Sequence, residues 1–238
     1  MAWQGYESPY SQTVPASVSA ERATFIRRTY AHLAGALAAF LLLEILLFQT
    51  SLPALMLDFA AGGRFNWLMI LGGFVLVGWL ARAFAANHMS LQAQYVGLGL
   101  YVVAEAIIFM PLILIALLVA GSPNILVQAA VMTATLFTGL TAVVFITGKD
   151  FNFLRSFLVV GGMIAIGLIV SGAIFGFDLG LAFSGGMIVL ASASILYDTS
   201  KILREYQADQ YVGAALELFA SVALLLWYVL RILIRLRR

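Results

Sequence analysis

The sequence contains no cysteine, so disulfides, thiolate metal sites and a cysteine nucleophile are all excluded. Histidine is nearly as scarce: His32 and His88 are the two present, too few for a His-rich metal cage. Charge is also sparse, with Asp, Glu, Lys and Arg making up 10% of the 238 residues, against about 25% in soluble domains. The 13 basic and 11 acidic side chains balance to +2, which supplies no basic face for a phosphate backbone, so nucleic acid is not an expected partner. What fills the chain is apolar: 63% of residues are hydrophobic and the mean hydropathy is +1.03. That leaves too little polar surface to wet a globule. A soluble enzyme and a disordered chain are excluded with it, and the lipid bilayer becomes the expected solvent.

Apolar runs of about 20 residues suffice to cross roughly 30 Å of hydrocarbon. Seven are found: Thr29–Phe48, Trp67–Ala86, Tyr95–Ala120, Ile125–Thr147, Phe157–Phe175, Leu179–Tyr197 and Tyr211–Leu230. In lipid, runs of this length must be helical, because the backbone finds no other hydrogen-bond partner. The expected fold class is therefore all-α, a polytopic seven-helix transmembrane bundle. Residues 1–28 read as a polar, disordered N-terminal tail, residues 29–234 as the transmembrane domain, and residues 235–238 as a short basic C-terminal tail. The Ser, Pro, Gln and Tyr of the first twenty residues include no apolar core of a cleaved signal peptide. The short links Gly121–Asn124 and Gly176–Asp178 should make hairpins of spans 3–4 and 5–6. The longest connection, Gln49–Asn66, carries Pro53 and Gly62-Gly63 and reads as a loop. Glycine pairs such as Gly161-Gly162 and Gly185-Gly186 suit close helix packing.

Lys and Arg set orientation. With the N-terminus in the cytoplasm of a bacterial inner membrane, the inner segments hold Arg22, Arg27, Arg28, Arg82, Lys149, Arg155, Lys201 and Arg204, while the outer loops hold Arg64. Seven crossings then put Arg231, Arg235, Arg237 and Arg238 outside. Either the basic tail stands on the outer face or the last segment re-enters; full crossing is preferred, since distant C-terminal charges rarely dominate insertion.

Ionisable groups inside spans cost several kcal/mol unless paired or hydrated. Glu105 lies near the midplane, roughly 15 Å into the third span. Pro111 follows on the same helix and is expected to kink it. Glu105 either bonds a neighbouring helix or serves an ion or proton path. Glu44 stands near the end of the first span and could reach the outer interface. Arg82, Asp198 and Glu217 all fall toward the inner helix ends, where they could form an ion pair or a protonation-controlled gate. Enzymes are disfavoured residue by residue. Both lysines, Lys149 and Lys201, are in or beside loops, no histidine follows His88, and no HExxH or Walker loop is present.

Several segments together carry a family likeness. Ile195-Leu-Tyr-Asp198-Thr-Ser-Lys-Ile202 with Tyr211 after it, Phe25-Ile-Arg-Arg-Thr-Tyr30, Tyr101-Val-Val-Ala-Glu105 up to Pro111, and Lys149-Asp-Phe-Asn-Phe-Leu154 resemble the Bax inhibitor-1 (TMBIM, YccA-like) family in order and spacing. The likeness runs from about residue 22 to 234. It implies seven helices with the last enclosed by the other six. For some members it also implies a pH-sensitive calcium leak, gated by two aspartates sharing a proton near the cytosolic face. YccA-type members instead restrain a membrane-anchored AAA protease.

Asp198 matches the first of those aspartates, whereas Ser221 stands where the second is expected. Glu217, one helical turn from Ser221, is the candidate replacement partner. The resemblance and the ionisable residues of the spans together give a candidate site of Asp198, Glu217, Ser221, Glu105 and Arg82. No resident cofactor or metal is expected; Ca²⁺ would be the transported ion, with Asp198 a weak contact. The alternative is an interaction protein that modulates an AAA protease or serves as an accessory subunit of a larger membrane complex.

Overall fold

A computed structural model describes residues 16–85 and 90–237; His88 lies outside the described residues. Eight helices follow one another: α1 Ala16–Leu47, α2 Leu52–Ala61, α3 Arg64–Ala85, α4 Leu91–Ala120, α5 Asn124–Thr147, α6 Leu154–Phe175, α7 Gly180–Arg204 and α8 Tyr211–Leu236. Among the described residues there is no strand, and seven of the helices are long and apolar enough to cross a membrane. The chain is a seven-span helical bundle.

Three features differ from the sequence expectation. Helix α1 starts at Ala16, so the stretch from 16 to 28 is helical and not a disordered tail; residues 1–15 lie outside the described residues. The physical reason is that Arg22 and Phe25 are tied to the α7–α8 connection and hold the first turns in place. Arg22 donates to the carbonyl of Leu203 at 3.1 Å, and Phe25 stacks on Tyr206 at 6.3 Å. The long connection after the first span likewise contains a helix, α2, with Pro53 in its first turn and Gly62 at its C-cap. Proline and glycine act here as helix start and stop signals and not as breakers. Helix α8 extends to Leu236, taking in the first half of the expected basic tail.

Local chemistry marks several ends. Ser90, in extended conformation, caps α4 by accepting from the Ala93 N–H at 3.3 Å. Gly121, Gly148 and Gly176 stop α4, α5 and α6 in left-handed conformation, at φ of 61°, 56° and 78°. The two tight links place α4 beside α5 and α6 beside α7, as the hairpin reading requires. Helix α4 continues through Pro111 without interruption.

Helix α8 is the axis of the bundle. It packs against α7, α4, α1, α5 and α3, and α6 joins it in a small apolar cluster through Ala165 and Tyr228. From Tyr211 to Ala223 every residue of α8 but Glu217 is buried. The bundle has two ends. At the first, Arg22 meets Tyr206 and Gln94 donates to the Asp209 carbonyl at 3.4 Å. At the second, Arg235 bonds the carboxylate of Asp178 in the α6–α7 link, and Arg237 bonds Gln128 of α5 at 2.9 Å. Helix α8 therefore traverses the full bundle and does not re-enter.

Close approach at the first end depends on two glycines. A Cβ at Gly97 would sit 2.5 Å from the Ala81 carbonyl oxygen and 2.9 Å from the Ala85 nitrogen; one at Gly213 would sit 2.8 Å from the Ala85 oxygen. These glycines seat α4 and α8 against the end of α3. Replacing Gly97 or Gly213 by Ala should therefore destabilise the bundle by about 1–3 kcal/mol. Gly99→Ala, with open space around it, should be near neutral. Thermal melts in detergent check this, and equal midpoints for all three variants would refute the close-packing argument.

Candidate functional site

The segments that carry the family likeness, far apart in sequence, come together at the first end. The Phe151 N–H in the α5–α6 link donates to Ser200 Oγ at 3.1 Å, and Asn152 donates to Glu205 at 2.5 Å. Arg204 donates to the Gly148 carbonyl. The 149–154 turn is thus docked on the C-terminal turns of α7. His32 of α1 binds the Tyr95 hydroxyl through Nε2 at 2.7 Å, with the Tyr211 ring 5.0 Å away. In the α7–α8 connection, burial raises the Tyr206 phenol above its ordinary pKa, helped by nearby Glu217 and Asp198.

Two polar groupings lie within the helices just inside this end. The first is the seam between α7 and α8. Asp198 and Ser221 are both buried. Ser221 Oγ donates to Asp198 Oδ2 at 2.6 Å and lies 2.9 Å from Ser194 Oγ. Ser194 was not among the expected site residues, although counting four back from Asp198 places it on the same face of α7. The second grouping joins α3, α4 and α8. Arg82 Nε lies 3.4 Å from Glu217 Oε2, and its guanidinium stands 5.6 Å from the centre of the Tyr101 ring. Buried Glu105 follows one turn along α4 from Tyr101.

Of the expected site residues, Arg82 pairs with Glu217, as an Arg–carboxylate set requires, and Asp198 pairs with Ser221. The carboxylate of Glu217 is met by Arg82, and no hydrogen bond joins it directly to Asp198 among the described residues. Ser221 itself is the partner of Asp198. The reason is helical register: Ser221 faces α7, whereas Glu217 is the one partly exposed position in the buried stretch of α8 and turns toward Arg82. Among the described residues, no three His, Cys, Asp or Glu side chains group closely enough to hold a metal ion.

At the second end the contact is of another kind. The Asp178 carboxyl, bonded to Arg235 and accepting from the Gly180 N–H, is held down to about pKa 2. The pair is exposed and solvent-screened, so it adds no more than about 1 kcal/mol.

The profile of the family described as inhibitor of apoptosis-promoting Bax1 matches residues 22–238, which is nearly the whole chain. The chain belongs to the Bax inhibitor-1 family. An uncharacterised protein of Pseudomonas aeruginosa is 36% identical over 106 residues, 43% of this chain and 47% of that one. An uncharacterised Neisseria meningitidis protein is 28% identical over 187 residues, covering 74% of this chain and 81% of its own length. The plant protein LIFEGUARD 4 of Arabidopsis thaliana is 29% identical over 143 residues, 57% of this chain and 55% of its own. The match to the Pseudomonas protein spans about half the length of that relative. A Vibrio cholerae relative, 32% identical over 114 residues (48% of this chain, 51% of its own), is named as a membrane protein, in keeping with the seven apolar helices.

Within this Bax inhibitor-1 bundle, Ser221→Ala would strip a hydrogen bond from a buried carboxyl. It should cost about 1–3 kcal/mol, while Ser194→Ala, one bond further from Asp198, should cost less. Detergent melts of the two variants measure this, and a Ser221→Ala midpoint equal to wild type would mean that Ser221 does not hold Asp198.

Proposed function

We propose that this protein is a pH-sensitive cation leak, with Ca²⁺ the chief permeant ion, and not an enzyme. The observation that carries this reading is the buried carboxyl of Asp198 closed against Ser221 at the seam between α7 and the axial helix. As a carboxylate, Asp198 accepts from Ser221; once protonated, it becomes a donor and must be accommodated differently. A proton therefore alters the pairing that seats α8 on α7, which is how a local charge change biases a two-state bundle. Arg82 and Glu217 hold α8 to α3 beside it and would move with it. The seam offers the oxygens of Asp198, Ser194 and Ser221, fewer than the about six to eight that Ca²⁺ takes. That donor set supports passage with weak contact at Asp198 over tight binding.

The first end is assigned to the cytoplasm of a bacterial inner membrane. Arg82, Lys149, Arg155, Lys201 and Arg204 lie in helix ends or links on that side, and Arg22, Arg27 and Arg28 in the first half of α1, the pattern of cytoplasmic segments. A reporter enzyme active only in the periplasm should then be active when fused after α8; an inactive, fully expressed fusion would reverse the assignment.

The second reading is an interaction protein that modulates a membrane-anchored AAA protease or belongs to a larger membrane complex. It is favoured by Ser221, an uncharged partner where a second carboxyl would be needed for a proton-sharing pair. Flux of Ca²⁺ and H⁺ in proteoliposomes from about pH 5 to about pH 8 separates the two. Wild type should conduct with a pH dependence that Asp198→Asn flattens. Flux no greater than that of empty liposomes at every pH would overturn the leak, and co-purification of an AAA protease from native membranes would then support the second reading.

A further inference from the structure

Four threonines of the bundle satisfy their hydroxyls within their own helix. Thr24, Thr29, Thr135 and Thr147 each donate to the carbonyl four residues back, at 3.0, 3.1, 2.8 and 2.7 Å. Thr141 of α5 and Thr199 of α7 do not: the Oγ1 of each is buried with no hydrogen-bond partner among the described residues. The Tyr30 hydroxyl of α1 is in the same condition, and Thr199 is 0% exposed.

These three hydroxyls belong together. The Tyr30 ring contacts Phe137 at 6.5 Å and Phe145 at 6.0 Å, and those residues lie one turn to either side of Thr141 on one face of α5. Tyr30 is thereby laid across α5 at the level of Thr141. Its hydroxyl faces the side chains of both Thr141 and Thr199, where α1 and α5 each pack on α7. Three oxygens from three helices converge, and none bonds another.

Left dry, each hydroxyl would lose its hydration for no bond in return. Polar contacts too long for a direct bond are commonly closed by a water with two to four polar partners. A hydroxyl both donates and accepts, so three of them match the roughly three bonds that a buried water makes. They supply too few oxygens for a hard divalent cation, which takes about six to eight. We infer that Tyr30, Thr141 and Thr199 form a binding site for one internal water, which ties α1, α5 and α7 together and fixes the rotation of α7. Asp198, Thr199 and Ser200 are consecutive, so their side chains leave α7 about 100° apart. Asp198 meets Ser221 of α8, and Ser200 accepts from the Phe151 N–H of the α5–α6 link. The water gives the middle residue its partner. A turn of α7 that carries Asp198 away from Ser221 then has to break the water site as well. The inference goes beyond the proposed function and stands whether or not the protein conducts.

Thermal melts of the full chain in detergent test it, with Tyr30→Phe, Thr141→Val and Thr199→Val made singly and in all combinations. Each variant deletes one hydroxyl and keeps the side-chain shape. Each single variant should lower the midpoint by about 2–4 °C. Unchanged or raised midpoints in all three are what a dry site gives, because an apolar group then replaces an unsatisfied one, and they overturn the inference. The combinations separate a water from direct bonding. Direct bonds would run through Tyr30, so Thr141 and Thr199 would act independently in the Tyr30→Phe background. A shared water still joins them there, and the drop for Thr141→Val with Thr199→Val should stay smaller than the sum of the single drops. Additive drops in that background overturn the water. Thr141→Ser, which keeps the hydroxyl, should keep the coupling; its loss there would assign the effect to packing and overturn the site. A density map that shows ordered waters should hold one peak about 2.7–3.0 Å from all three oxygens, and an empty site in such a map overturns the inference directly.

Discussion

A polar side chain in hydrocarbon must find its partners within the protein, and the arrangement of this bundle follows from that demand. Water is absent, so each buried hydroxyl or carboxyl draws a helix toward whichever neighbour can answer it. Asp198 draws α7 to Ser221 of α8, and Glu217 draws α8 to Arg82 of α3. These bonds act on the helix that the others surround. The axial helix is thus held by buried polar contacts near one end, by apolar packing along its middle and by the exposed bonds of Arg235 and Arg237 at the other.

The position of α8 also explains why small residues matter so much. A helix packed on five others can approach each only where backbone meets backbone. Gly213 lies against the last turn of α3, and Gly97 brings α4 against the same turn. Lipid gives no hydrophobic drive for these contacts, so close van der Waals fit has to supply it. The exposed aromatic and aliphatic side chains of α3, α5 and α6 face outward in keeping with a lipid surround.

The two ends of the molecule differ in chemistry. At the first, Arg22, Asn152 and Gln94 all bond the end of α7 and the α7–α8 link, and Arg204 bonds the α5–α6 link. At the second, the Arg235–Asp178 pair is exposed and a short helix, α2, follows the first span. A bundle stiffened at one end and sparsely tied at the other has a built-in direction along which helices can part. The Bax inhibitor-1 family likeness, carried by segments that gather at the interlocked end, falls on the half of the molecule where polar contacts are densest.

The sequence alone determined the class: seven long apolar runs, scarce charge and no cysteine leave only a helical membrane bundle, because hydrocarbon forbids any other backbone solution for such runs. It also marked Asp198, Glu105, Arg82 and Glu217, since a charge in an apolar run stands out. Tertiary structure decided who meets whom. Glu217 and Ser221 are one turn apart on α8, and no periodicity says which of them faces α7; only the rotation of α8 against its neighbours sends Ser221 to Asp198 and Glu217 to Arg82. The start of α1 at Ala16 and the helix around Leu52–Ala61 were hidden for a related reason. Polar and proline-bearing segments read as loops by composition, and it is contact with the α7–α8 connection, or with α3 and α4, that makes them helices.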